Sequence, residues 1–138
     1  MKHEFTQKVY YADTDAYGVV WHGSYLRWME KGRVDFCEDL GLNLVTLQEQ
    51  DIALPVTNMN VRYNSSAKLN DTVLVGTSLT KLSPITATFT QVIKNKVSGQ
   101  VHIQAEFEVV AVTNEGKLHR RMPAILKETL EKVLICKD

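Results

Sequence analysis

The sequence predicts an α+β domain in which an antiparallel sheet wraps around one long central helix. An apolar stripe with three- and four-residue spacing runs through residues 25–40 and indicates that helix. One segment before it and four segments after it alternate apolar and polar residues, as strands do. The stripe is wider than that of a surface helix, so the helix needs a sheet to cover it.

The alternating segments lie at residues 5–11, 57–63, 73–79, 85–93 and 101–109. Short turns join the last three strands, which predicts an antiparallel meander. Gly32 lies mid-helix, where it costs about 1 kcal/mol relative to Ala, so we expect a neighbouring backbone to approach it closely. Gly41 is the predicted helix stop, and Pro123 opens a final amphipathic helix. Its apolar side is formed by Leu126, Leu130, Val133 and Leu134.

Size and composition predict a soluble chain with one domain over residues 1–138. The 16 basic and 16 acidic residues cancel, which argues against a nucleic-acid binder. The N-terminus lacks an apolar signal core and no segment approaches about 18 apolar residues, so we expect a cytoplasmic protein without a membrane span. Cys37 and Cys136 form no CxxC pair, which argues against a disulfide framework or a zinc site. Cys37 is predicted to be a buried apolar residue.

The segment YADTDAYGVVWHGSY, residues 11–25, carries the candidate chemistry. It places Asp13, Asp15 and His22 in a loop that leads into the long helix. Unpaired N–H groups at a helix start can bind the oxygen of a polarised carbonyl, and a nearby carboxylate can act on water or on the carbonyl carbon. From the residues alone, turn and capping roles for both aspartates and a structural role for His22 are the commoner outcome.

The spacing Tyr-x-Asp-Thr-Asp-x-x-Gly-Val-Val-x-His-x-x-Tyr, followed by Trp-x-Glu-x-x-Arg, resembles the 4-hydroxybenzoyl-CoA thioesterase family. Within that family, it is similar to the small bacterial acyl-CoA thioesterases associated with the Tol-Pal cluster. The likeness is dense over residues 10–36 and looser over residues 61–73. The resemblance implies a hotdog fold, with five antiparallel strands around one helix, and hydrolysis of an acyl-CoA thioester.

The resemblance also implies a set of site residues. Asp15 stands at the position of the catalytic carboxylate, which acts as general base or nucleophile. His22 stands where relatives offer a backbone N–H to the thioester carbonyl, and its imidazole is implicated as well. Tyr11 matches a tyrosine grouped with that Asp and His, while Gly18 and Val19 form the turn before the helix and complete the substrate-binding set. Asp13 is interpreted as structural, and Tyr17 is interpreted as a determinant of acyl preference.

The resemblance implies a homodimer that pairs through its sheets and, by pairing of dimers, a homotetramer. It implies no metal and no bound cofactor, since coenzyme A enters only as part of the substrate. Two alternatives stay open. One is a hotdog dehydratase or hydratase, which the order of acid before His and the lack of proline in this segment disfavour. The other is a module that binds acyl groups or partner proteins without turnover. The residues do not predict the acyl group.

Overall fold

The computed structural model describes residues 1–135, which form one five-stranded antiparallel sheet and three helices. The strands are β1 (Lys2–Lys8), β2 (Val56–Tyr63), β3 (Thr72–Leu82), β4 (Thr86–Asn95) and β5 (Val101–Val110). The helices are α1 (His22–Asp39), α2 (Leu44–Glu49) and α3 (Ala124–Glu131). The sheet order is β1-β3-β4-β5-β2, so the predicted meander β3-β4-β5 forms the centre and β1 and β2 form the edges.

The core lies between α1 and the inner face of the sheet. The helix buries the apolar stripe that the sequence predicts, including Met29, Phe36 and Cys37. The Phe36 and Phe89 rings meet edge to face with centroids 5.5 Å apart, which is a favoured aromatic geometry. Around the first half of α1, the sheet contributes side chains such as those of Val75 and Ile93. The long helix and the sheet that covers it are therefore confirmed.

Gly32 is needed for a reason that differs from the predicted one. A Cβ at this position would lie 2.6 Å from Thr77 Oγ1 and 2.9 Å from Gln91 Nε2. The close neighbours are thus two buried side chains of the sheet, and the expectation that a backbone approaches Gly32 was wrong. Gln91 Nε2 donates to Met29 O and to Thr77 Oγ1, both at 2.8 Å, so the space above Gly32 is filled by a hydrogen-bonded cluster.

Three local features differ from the sequence prediction. β1 ends at Lys8 because the N–H of Tyr10 turns to the carboxylate of Asp13, and residues 11–13 form a 3₁₀ turn. The short helix α2 was not predicted, and it is capped by Asn43, whose Oδ1 accepts from Thr46 N at 2.8 Å. α3 begins after Pro123 and buries Leu126 and Leu130, whereas Val133 and Leu134 follow its end and pack half-buried against the core. Cys136 lies outside the described residues.

Within residues 1–135, no helix is both long enough and apolar enough to cross a membrane.

Candidate active site

A tight turn brings together Asp15, Gly18 and Val19, three of the predicted site residues. Asp15 N donates to Val19 O at 2.9 Å, and Gly18 N donates to Asp15 O at 3.0 Å. Gly18 has φ +79°, a left-handed conformation that a side chain would strain. An isolated bridge pairs Thr14 with Val20, so the turn projects from a short two-stranded stem. The stem holds the Asp15 carboxylate at a fixed place before α1.

The Asp15 carboxylate is anchored through one oxygen and free at the other. Oδ1 accepts the N–H of Tyr17 at 2.8 Å. Oδ2 has no hydrogen-bond partner among residues 1–135, and the side chain is half-buried. The Tyr17 ring points into solvent, so this residue contributes its main chain to the turn. Such a carboxylate keeps one oxygen available to accept a proton from water or to attack a carbonyl carbon.

α1 begins at His22, three residues after Val19. In the described part of the chain, the N–H groups of His22 and Gly23 have no acceptor, as expected for the first turn of a helix. These groups carry the partial positive charge of the helix dipole and can bind a developing oxyanion. The Trp21 indole lies directly against Gly23, where a Cβ would overlap it, and its ring centroid is 5.0 Å from that of His22.

Asp13 links the turn to the helix through main-chain and side-chain bonds. It is only 7% exposed, and its Oδ2 accepts the N–H of Tyr10 at 2.9 Å. Its carbonyl oxygen accepts from Trp21 N at 2.9 Å and from Ser24 Oγ at 3.0 Å. Arg27 Nη2 lies 3.6 Å from Asp13 Oδ1 at the surface. These bonds agree with the interpretation of Asp13 as structural.

Two tyrosines lie near the site, one that the sequence predicted and one that it missed. The Tyr11 side chain is 83% exposed, and no described contact joins its ring to Asp15 or His22, so its grouping with them stays a prediction. Tyr63 was missed, although its Oη donates to His22 O at 3.5 Å and its ring centroid is 6.0 Å from that of Tyr25. Tyr63 follows His22 by 41 residues, and sequence spacing gives no signal for such a contact.

Among residues 1–135, no three His, Cys, Asp or Glu side chains are grouped as ligands of a metal ion.

Comparison with known proteins identifies similar chains. Residues 9–133 match the family described as the thioesterase-like superfamily. The acyl-CoA thioester hydrolase YbgC of Escherichia coli O6:H1 is 34% identical over 116 residues, which cover 84% of this chain and 86% of that protein.

Solved structures share the fold. The DHNA-CoA thioesterase of Staphylococcus aureus superposes with a TM-score of 0.86 at 29% identity, covering 96% of this chain and 90% of that one. A 4-hydroxybenzoyl-CoA thioesterase in complex with 4-hydroxybenzoyl-CoA superposes with a TM-score of 0.83. That match covers 94% of this chain and 98% of the other, and at 20% identity it shows the fold alone. The predicted hotdog fold is thereby confirmed.

Proposed function

The chain belongs to the thioesterase-like superfamily, and from this premise we propose that it hydrolyses acyl-CoA to a free acid and coenzyme A at the Asp15 turn. The observation that carries the proposal is the half-anchored carboxylate of Asp15 just ahead of the unpaired N–H groups of His22 and Gly23. A thioester needs these two kinds of group together, one to polarise its carbonyl and one to act on its carbon. The names of the relatives match hydrolysis and not dehydration or binding without turnover.

In the proposed reaction, the thioester carbonyl oxygen accepts hydrogen bonds from the N–H groups at the start of α1. The dipole of this helix stabilises the negative charge that develops on that oxygen. As general base, Asp15 Oδ2 takes a proton from water while the water oxygen bonds to the carbonyl carbon. The C–S bond then breaks, and coenzyme A leaves as a thiolate that receives the proton. As nucleophile, the same oxygen bonds to the carbonyl carbon, the C–S bond breaks and coenzyme A leaves as a thiolate. Water then hydrolyses the resulting mixed anhydride, which restores the Asp15 carboxylate and releases the acid and a proton for the thiolate.

The proposal includes the assembly and the setting of the enzyme. It acts as a homodimer, and by pairing of dimers as a homotetramer, because both edge strands offer unpaired backbone groups to a second copy. It needs neither metal nor bound cofactor, since Asp15 and the helix start supply a proton acceptor and an electrophilic site. We place it in the cytoplasm, where the thiols of coenzyme A and of Cys37 stay reduced.

The test compares the same substitution at the two aspartates of the turn. Asp15→Asn removes the proton acceptor or nucleophile and keeps the shape, so we expect turnover to fall by about 10²-fold or more. Thermal stability and the affinity for acyl-CoA should stay close to those of the wild type. Release of free coenzyme A from a panel of acyl-CoA esters, followed with a thiol reagent, measures turnover.

Asp13→Asn is the matched control. It weakens the bond to Tyr10 N and the ion pair with Arg27, so we expect a loss of about 0.5–2 kcal/mol in unfolding free energy. Turnover per folded molecule should stay near that of the wild type. Near-native turnover in Asp15→Asn together with a folded but inactive Asp13→Asn would assign the catalytic role to Asp13 instead.

A further inference from the structure

The connection between β2 and β3, residues 64–71, lies against the Asp15 turn. An isolated antiparallel bridge joins this connection to Val19, and Val20 N donates to Ala67 O at 2.9 Å. Val19 O in turn accepts the N–H of Asp15 at 2.9 Å. The β2–β3 connection therefore backs the short stem that carries the Asp15 carboxylate.

Ala67 joins this stem to α1 through its two backbone polar groups. Its carbonyl oxygen accepts the N–H of Val20, and its own N–H donates to Tyr25 Oη at 2.9 Å. Tyr25 lies one turn into α1, which begins at His22. Ala67 is fully buried and Tyr25 is 2% exposed, so the phenol oxygen satisfies an N–H group that is shielded from water.

The Tyr25 ring is held by two other aromatic rings. Trp28 meets it edge to face with centroids 5.6 Å apart, and the centroid of Tyr63 lies 6.0 Å away. Burial raises the pKa of the Tyr25 phenol above its ordinary value of 10.0, so the group stays neutral near pH 7. The phenol oxygen is therefore a fixed, uncharged acceptor for the N–H of Ala67.

The two ends of the β2–β3 connection are fixed independently of Tyr25. At one end, Ser65 Oγ donates to Val101 O at 2.9 Å. At the other end, Asp71 O accepts the N–H of Val9 at 2.8 Å. Loss of the phenol oxygen therefore frees the middle of the connection, where it contacts the stem, and leaves both ends attached to the sheet.

We propose that Tyr25 is a positioning residue for thioester hydrolysis, whose phenol oxygen sets the place of the Asp15 turn relative to the start of α1. The inference rests on the proposed function and adds to it a buried residue that acts through Ala67. The bonds from Tyr25 Oη to Ala67 and from Ala67 to Val20 carry it. They also explain why a tyrosine stands at the end of the segment 11–25, where a phenylalanine would pack equally well.

The proposed reaction depends on the relative position of two segments. Asp15 acts on the carbonyl carbon while the N–H groups of His22 and Gly23 hold the carbonyl oxygen. A misplacement of about 1 Å can lower a rate by about 10²-fold, even when the altered residue lies away from the chemistry. Because the groups that contact the substrate all remain, we expect a looser link between the segments to lower kcat and to leave KM in place.

Tyr25→Phe tests the inference, because it removes the phenol oxygen and keeps the ring. Rates of coenzyme A release are measured with acetyl-, octanoyl-, palmitoyl- and benzoyl-CoA, and kcat and KM are determined for the ester that the wild type cleaves fastest. We expect kcat to fall by about 10-fold or more, with KM unchanged within about twofold. The pH profile of kcat should keep its shape, because the phenol is neutral near pH 7 and transfers no proton.

Thr77→Val is the matched control. It also removes a fully buried hydroxyl that accepts a side-chain N–H, that of Gln91 at 2.8 Å, and no contact within residues 1–135 joins Thr77 to the Asp15 turn. We expect both variants to lose thermal stability, but Thr77→Val should keep kcat within about twofold of the wild type. Amide exchange followed by NMR gives a second measurement. Exchange at Val20 N–H, relative to that at Met29 N–H inside α1, should accelerate by about 10-fold in Tyr25→Phe alone.

Should Tyr25→Phe fold poorly, Ala67→Val tests the same link, because a larger side chain at this buried position moves the N–H away from the phenol. The same fall in kcat with an unchanged KM is expected. An unchanged kcat, a raised KM with kcat kept, an equal fall in kcat in Thr77→Val or unaltered exchange at Val20 overturns the inference. A wild type that cleaves none of the four esters, or full turnover in Asp15→Asn, instead contradicts the proposed function, which separates the two failures.

Discussion

At the scale of single residues, the two possible contributions of His22 can be separated by substitution. His22→Ala removes the exposed imidazole beside Trp21 and keeps the backbone N–H at the helix start. We expect turnover to fall by about 10²-fold, because an imidazole at the start of α1 can position water or the thioester. Initial rates of coenzyme A release measure the effect.

His119→Ala is the control for this substitution. Its imidazole Nε2 lies 2.9 Å from Asp51 O, in a part of the chain that does not touch the candidate site. We expect this variant to keep the wild-type rate. Should His22→Ala also stay within a few-fold of the wild type, the role of His22 is confined to its main chain.

Cys37 illustrates how burial changes the chemistry of one side chain. Burial raises the pKa of its thiol to about 11, so the thiol stays protonated at neutral pH and is a poor nucleophile. In a Cys136→Ser background, we expect a disulfide reagent to label Cys37 only after denaturation, and rapid labelling of the native protein would contradict the structure. Since the pKa of the buried thiol lies above its ordinary value of 9.0, stability should also fall as pH rises from about 9 through 11. Cys37→Ala should flatten that alkaline loss.

At the scale of elements, the contact between α1 and the sheet depends on the missing side chain of Gly32. Ala would improve helix propensity by about 1 kcal/mol, yet its Cβ would push into Thr77 Oγ1 and Gln91 Nε2. We expect Gly32→Ala to lower the unfolding free energy by about 1–3 kcal/mol, because overpacking and a broken buried hydrogen bond outweigh propensity. Denaturant titration measures it.

A double-mutant cycle identifies the cause of that loss. Thr77→Ala removes the atom nearest to the new Cβ, so the cost of Gly32→Ala should be smaller in this background. Equal costs in both backgrounds would show that the hydroxyl of Thr77 is not the obstacle.

The elements differ in how well the sequence predicts them. α1 and the four later strands have strong periodic patterns, and the structure confirms them within a few residues. α2 spans six residues and buries one side chain, Leu47, while its other apolar residues Leu44 and Val45 are exposed, so no periodic signal exists. The extension of the first strand to residue 11 was wrong because a local bond, Tyr10 N to Asp13 Oδ2, competes with sheet pairing.

The contacts of the candidate site also differ in how well the sequence predicts them. Contacts within a few residues, such as the turn of Asp15, Gly18 and Val19, follow from the motif and its turn chemistry. The contact of Tyr63 with His22 and the cluster of Gln91 with Thr77 join distant segments, and they depend on strand register. Register is set by tertiary packing, which one sequence does not display.

At the scale of the whole molecule, the edge strand β2 sets the predicted assembly. Asn64 N donates to His102 O, so by alternation the N–H groups of Met59, Val61 and Tyr63 point away from β5. A second copy can pair with this row. We expect light scattering to give at least twice the chain mass of 15.6 kDa, and a protein of only 15.6 kDa would contradict the assembly.

Val61→Pro removes one N–H from the row that points away from β5 and leaves the hydrogen bonds to β5 in place. It should therefore shift the measured mass toward the 15.6 kDa of one chain. Val61→Thr is the control, because it keeps the N–H and changes only the side chain. A dimer that survives Val61→Pro would move the interface to another surface. That residues 1–138 form a single domain stays a prediction of the sequence.

The order of the strands also bears on how the chain folds during synthesis. Phe5 pairs with Val75, seventy residues later, whereas β3, β4 and β5 pair with their neighbours in the chain. On a ribosome, β1 and the apolar stripe of α1 emerge long before the strands that cover them. The nascent chain must therefore carry an uncovered apolar helix until the meander has left the exit tunnel. We therefore expect closure of the two edges to be the late, slow step of folding, because it joins the most distant segments.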